Sequence, residues 1–103
     1  MDQRVSPGLI LSLWNAAEFE KEVGPINRGP GTAPVTIAHN VRTRAEVDAV
    51  LADATQAGAT LIEAGRDRDW GGYTGYFADP DGYRWEVAWN PGPVGQLVLD
   101  GVP

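Results

Sequence analysis

The chain has 103 residues, 43% hydrophobic and 21% charged, which fits one globular domain and excludes global disorder. A net charge of −6 disfavours nucleic acid as a partner, and no apolar run approaches the ~18 residues of a membrane-spanning helix. With no cysteine, disulfides, thiolate metal sites and cysteine nucleophiles are excluded.

In chain order, the opening Met1-Asp2-Gln3-Arg4 lacks the apolar stretch of a signal peptide, so a cytoplasmic location is expected. Residues 8–14 (GLILSLW) read as a strand buried on both faces, because nearly every position is apolar. Asn15 with Glu18 forms a capping-box pattern ahead of a short helix over Ala16–Val23. Residues 24–34 carry Gly-Pro, Gly-Pro-Gly and Ala-Pro steps and read as a linker. Residues 35–41 (VTIAHNV) alternate, with Val35, Ile37, His39 and Val41 on one face and Thr36, Ala38 and Asn40 on the other.

A helix follows. Thr43 and Glu46 make a capping box, Val47, Val50, Leu51 and Ala54 make one apolar stripe, and Gly58 stands where a left-handed C-terminal cap belongs. Residues 59–62 begin a third strand, and residues 65–72 (GRDRDWGG) read as a polar loop with one tryptophan. YTGYFA (73–78) and YRWEVAW (83–89) are two more strands, joined by an Asp79-Pro80-Asp81-Gly82 turn. There proline presets φ, aspartate bonds its own backbone and glycine accepts positive φ. Asn90-Pro91-Gly92-Pro93 ends the last strand, leaving residues 92–103 as a tail whose apolar Leu97, Val98 and Leu99 suit a docking arm.

The order strand–helix–strand–strand–strand predicts an α+β unit with one sheet, a helix on one face and the other face free for a ligand or a second unit. A ferredoxin-like unit needs a second helix between its later strands, and no helical period occurs between Ala59 and Trp89. Residues 35–91, and above all Asp-Pro-Asp-Gly followed by Tyr-Arg-Trp-Glu, resemble the second module of the vicinal oxygen chelate superfamily. That superfamily holds the glyoxalases, bleomycin-resistance proteins and extradiol dioxygenases. Residues 8–14 resemble the last strand of a first module. The resemblance implies a βαβββ module whose sheet curls into a half-cup and pairs with another module. It divides the chain into residues 1–34, the remainder of a first module; 35–91, the module itself; and 92–103, the tail. With the first module mostly missing, by natural brevity or by truncation, it implies a homodimer that pairs modules between chains.

The resemblance also names positions. Metal-dependent members hold one divalent ion with two histidines and one or two glutamates, and Glu86 stands at the final-strand glutamate. The position where a histidine opens the module is Thr36. The glutamate expected on the preceding strand falls in the apolar run Leu9-Ile10-Leu11-Ser12-Leu13, so Glu86 alone of the metal set survives. His39, the single histidine, lies on the helix side of its strand and is expected to pack between sheet and helix. Tyr76, ten residues before Glu86, stands where extradiol dioxygenases place a tyrosine against the reacting oxygen. Thr36, Ala38, Asn40, Thr74, Tyr76 and Arg84 are the expected ligand-binding positions of the free face, with Trp70 at its mouth. Trp85 and Trp89 alternate away from Glu86 and are expected in the core.

The leading expectation is a protein that binds a small organic molecule in an aromatic cup, without a conventional metal centre or other cofactor. The alternative is a lyase or dioxygenase in which Fe, Mn, Ni or Zn is held with Glu86 and in which Glu86 and Tyr76 are catalytic. A third is a half-module that completes a partner's cup.

Overall fold

The computed structural model describes residues 2–6, 9–26 and 34–100. Gly8, residues 27–33 of the expected linker and residues 101–103 of the expected tail lie outside them. The described elements are β1 (Asp2–Ser6), β2 (Leu9–Ser12), α1 (Ala16–Val23), β3 (Thr36–Asn40), α2 (Arg44–Gln56), β4 (Thr60–Asp67), β5 (Tyr73–Ala78), β6 (Arg84–Trp89) and α3 (Pro93–Asp100).

The expected βαβββ module is present as β3-α2-β4-β5-β6. Its curled, open sheet has the order β3-β6-β5-β4, with β3 parallel to β6 and the other pairs antiparallel. α2 starts at the predicted cap: the Thr43 hydroxyl accepts the Glu46 backbone N–H at 3.1 Å. It packs chiefly on β4, β5 and β6, where Val47 and Leu51 bury against Val87, with Val50, Phe77, Tyr73 and Trp89 around them. Gly75 lets this contact close. A Cβ there would overlap the Leu51 side chain and stand 2.8 Å from the Glu63 carbonyl oxygen. The Asp79 turn forms as read: its carboxylate accepts the backbone N–H groups of Asp81 and Tyr83, both at 3.0 Å, and the Trp85 indole N–H at 3.0 Å. These bonds, the indole's foremost, hold the Asp79 carboxyl below its usual range.

Several elements depart from the sequence reading. The first strand stops at Ser12, and Leu13 and Trp14 are exposed rather than buried on both faces. Trp14 instead lies edge-on to Phe19, 5.8 Å between ring centres. β1 pairs antiparallel with β2; its polar sequence DQRVS carries no strand period, so only the backbone pairing reveals it. β4 runs on to Asp67, through the first three residues of the expected loop. Its register shifts between Leu61 and Glu63 and again between Glu63 and Arg66, and such bulges break the alternation by which a strand is read. The expected arm is a helix, α3, with Pro93 at its first position, where the missing N–H costs no bond. His39 does pair with Val87 on the helix side, but it is exposed, because β3 is an edge strand that α2 does not chiefly cover.

Candidate functional site

The cross-strand register puts Ala38, Glu86, Tyr76 and Glu63 in one row across the sheet, on the face away from α2. Flanking rows hold Thr36, Arg84 and Ala78, and Asn40, Ala88, Thr74 and Arg66. The large rings alternate away: Phe77 and Trp85 stack on the helix side, 6.1 Å apart, and Trp89 lies under the Arg44 guanidinium. Tyr76 is thus the one ring that β5 and β6 present to the free face.

Tyr76 is 2% exposed. Its hydroxyl contacts Glu86 Oε2 at 2.9 Å and Glu22 Oε2 more closely still. Glu86 comes from the adjacent strand. Glu22 comes from α1, where Phe19, Glu22 and Val23 share one side of the helix. A phenol has one hydrogen. For both contacts to be hydrogen bonds, Tyr76 donates to one carboxylate and the other carboxyl, protonated, donates to the phenol oxygen. Burial, foremost, pushes the Glu86 carboxyl above its usual range, and the Glu22 charge pushes the same way. The Tyr76 hydrogen bond and the Arg68 charge oppose this. Of the two carboxyls, Glu86 is the one that burial biases toward its protonated form. Burial and then the neighbouring carboxyls push the Tyr76 phenol far above its ordinary range, so it stays a donor.

Arg68 closes the cluster. The chain turns back at once after β4: Arg68 N–H donates to the Gly72 carbonyl at 2.8 Å and Gly71 N–H to the Arg68 carbonyl at 3.0 Å, with Gly71 at φ +98°. This turn folds the Arg68 side chain inward until only 4% of it is exposed. Its Nε donates to Thr74 Oγ1 at 2.6 Å, its Nη2 lies 2.7 Å from Glu63 Oε1, and its guanidinium carbon sits 5.7 Å from the Tyr76 ring centre. Glu63 is shared with Arg66 Nε at 2.8 Å. Arg68 Nη1 is buried without a hydrogen-bond partner among the described residues.

Of the positions expected from sequence, Tyr76, Glu86 and Thr74 come together. Ala38 lies opposite Glu86 but exposed, and Thr36 and Asn40 are half-buried on edge strand β3. Arg84 turns its Nη1 toward the Gly82 carbonyl at 3.4 Å, and its Nε is buried without a partner among the described residues. Trp70 is half-exposed and lies over Gly72, where a Cβ would overlap its ring. Sequence reasoning missed Glu22, Glu63 and Arg68. AAEFEKEV carries no signal that singles out Glu22, since Glu20, three residues before Val23, lies on the apolar side of α1 as well.

As a metal centre the donor set fits poorly. Both Glu22 and Glu86 are engaged by the Tyr76 hydroxyl, a guanidinium stands beside them, and β3 offers Thr36 and Ala38 where an imidazole would be needed. Among the described residues no three His, Cys, Asp or Glu side chains are grouped to hold an ion.

The family model described as Glyoxalase/Bleomycin resistance protein/Dioxygenase superfamily matches residues 13–87. The chain belongs to this superfamily. It is 38% identical over 72 residues to an uncharacterized protein of Mycobacterium bovis, a match covering 70% of this chain and 43% of that one. A Mycobacterium tuberculosis relative is 38% identical over 72 residues and is covered over 39% of its length. The chain thus spans about two fifths of the length of the curated relatives it matches. Among solved structures, a glyoxalase-related enzyme from Fulvimarina pelagi is similar at 34% identity and TM-score 0.57, covering 84% of this chain and 61% of that one. A glyoxalase/bleomycin resistance protein/dioxygenase from Nocardioides is similar at 26% identity and TM-score 0.54, with 88% and 64% covered. No helix among the described residues is long and apolar enough to cross a membrane.

The upward shift of the Glu86 carboxyl yields a pH prediction. A carboxyl whose pKa is higher folded than unfolded keeps its proton longer in the native state. Stability from that proton is whole below the ordinary 4.5 and is lost as pH rises through the folded value. Wild-type stability is expected to fall from the ordinary value up to the folded one, by at most about 1.4 kcal/mol per pH unit, one proton's worth. Glu86→Gln should flatten the slope. Urea unfolding at a series of pH values reads it; parallel curves for the two proteins would mean that Glu86 carries no such proton.

Proposed function

We propose that this member of the superfamily binds a small, oxygen-rich organic molecule on the Tyr76 face and does so without a resident metal ion. The observation that carries the reading is the Tyr76–Glu86 pair in the middle of that face. There packing alone would favour apolar side chains, because buried polar groups are costly unless fully bonded. A phenol, and a carboxyl that burial biases toward its protonated form, can each present a proton to a carbonyl or enolate-like oxygen. Ala38 in the row and Thr36, Asn40 and Arg84 beside it would contact the rest of the ligand, with Trp70 at the mouth. A second copy, in a cytoplasmic homodimer, would supply the opposite wall. The donor set described above supports the metal-free part.

The test pairs two measurements. Elemental mass spectrometry after dialysis against Ni, Zn, Mn and Fe(II) is expected to find no stoichiometric metal. A fluorescence screen of aromatic and oxygen-rich compounds is expected to give a ligand that Tyr76→Phe binds about tenfold more weakly, the worth of one hydrogen bond. Near-stoichiometric metal that disappears in Glu86→Gln would replace this reading by the metal-dependent lyase or dioxygenase, with Glu86 a ligand and Tyr76 beside the reacting oxygen.

A further inference from the structure

We propose that Tyr76 and Arg68 form a subsite for a ligand carboxylate, and that the chain's own Glu22 fills it from α1 until the ligand enters. This rests on the reading that ligands bind on the Tyr76 face and narrows it to small organic monocarboxylates.

The two carboxyls on the Tyr76 hydroxyl are held differently. Glu86 is fixed by sheet register, directly across from Tyr76 on β6. Glu22 is brought in from 54 residues away in sequence by a helix of eight residues, of which Val23 is the one buried residue. An element anchored by so little apolar surface can lift at small cost. When it does, the Tyr76 hydroxyl loses its closest acceptor and presents its proton to whatever replaces it.

Arg68 supplies the second half. Thr74 and Glu63 engage its Nε and Nη2, and Nη1 is left without a partner among the described residues although the side chain is 4% exposed. A buried guanidinium nitrogen without an acceptor is uncommon and points to an acceptor from outside. A carboxylate has two oxygens. One can take the place of Glu22 on Tyr76, and the other can take an N–H of Arg68 Nη1 beside the same ring. Charge favours this class of ligand. Exchanging the Glu22 carboxylate for a ligand carboxylate leaves the charge of the cluster unchanged. A phosphate would add negative charge beside Glu63 and Glu86.

The test is calorimetric titration of sodium benzoate and, separately, of inorganic phosphate into the wild-type chain, Glu22→Ala and Glu22→Gln. If Glu22 fills the subsite about nine-tenths of the time, its removal raises benzoate affinity about tenfold. The gain is expected in both variants, so one that fails to fold does not decide the matter. It should vanish when Tyr76→Phe is added, and phosphate should show no gain. Equal benzoate affinity in wild type and variants overturns the subsite, as does an equal gain for phosphate. A wild type that binds a neutral compound from the earlier screen, with no benzoate gain in the variants, overturns the subsite and leaves the ligand-binding reading standing. A face that takes no compound in any of these proteins overturns both.

Discussion

Replacing Arg68 by methionine is expected to lower the free energy of unfolding by about 3 kcal/mol, the low end of what breaking a buried ionic contact costs. The low end applies because Glu63 is 29% exposed and keeps its contact with Arg66. Thr74 is harder to satisfy. It is fully buried at the second position of β5, and its hydroxyl accepts from Arg68 Nε. Methionine fills the stem volume but offers no donor, so that acceptor is left dry. Lysine should not rescue the loss, since one ammonium cannot serve Thr74 and Glu63 together while lying on the Tyr76 ring. Urea denaturation of the three proteins at pH 7 measures the difference. A loss under about 1 kcal/mol would put Arg68 in the class of surface ion pairs and deny it a part in ordering the face.

How much of this was legible in the sequence depended on whether the signal was local. The α2 helix, its Thr43 cap and the Asp79 turn were readable because the residues that decide them lie within four positions of one another. The split of β5 and β6 into a ring-bearing helix side and a Tyr76–Glu86 side was readable from period two alone. Arg68 was not. Its neighbours Asp67, Asp69 and Gly71 have the composition of a solvated loop, and the arginine is buried only because the 68–72 turn folds it onto Thr74. Glu22 was hidden in another way: nothing in AAEFEKEV says that this carboxylate, rather than Glu18 or Glu20, meets a tyrosine 54 residues on. His39 shows the converse limit. Its face was read correctly, but its burial depended on which strands α2 covers, a tertiary fact with no local trace.

The sheet that carries the site is set by how closely α2 can approach it, and Leu51 is where that distance is fixed. Leu51→Ala is expected to cost about 3 kcal/mol, within the range for emptying a buried leucine, because Leu51 is buried against Val47 and Val87. Gly75→Ala is expected to cost about 2 kcal/mol for the opposite reason: its Cβ has nowhere to go but into Leu51 and toward the Glu63 carbonyl. The double variant should cost less than the two together by about 1 kcal/mol, since the new methyl enters the space the leucine leaves. Recovery should be partial, because the Glu63 carbonyl belongs to the bulged backbone of β4 and cannot move aside as a side chain can. Chemical denaturation of the four proteins gives the coupling. Strict additivity would mean that Leu51 and Gly75 are not in contact, and that the spacing of helix and sheet is set elsewhere. Partial recovery would make Gly75 the position that lets α2 seat on β5, one residue from the tyrosine on the opposite face.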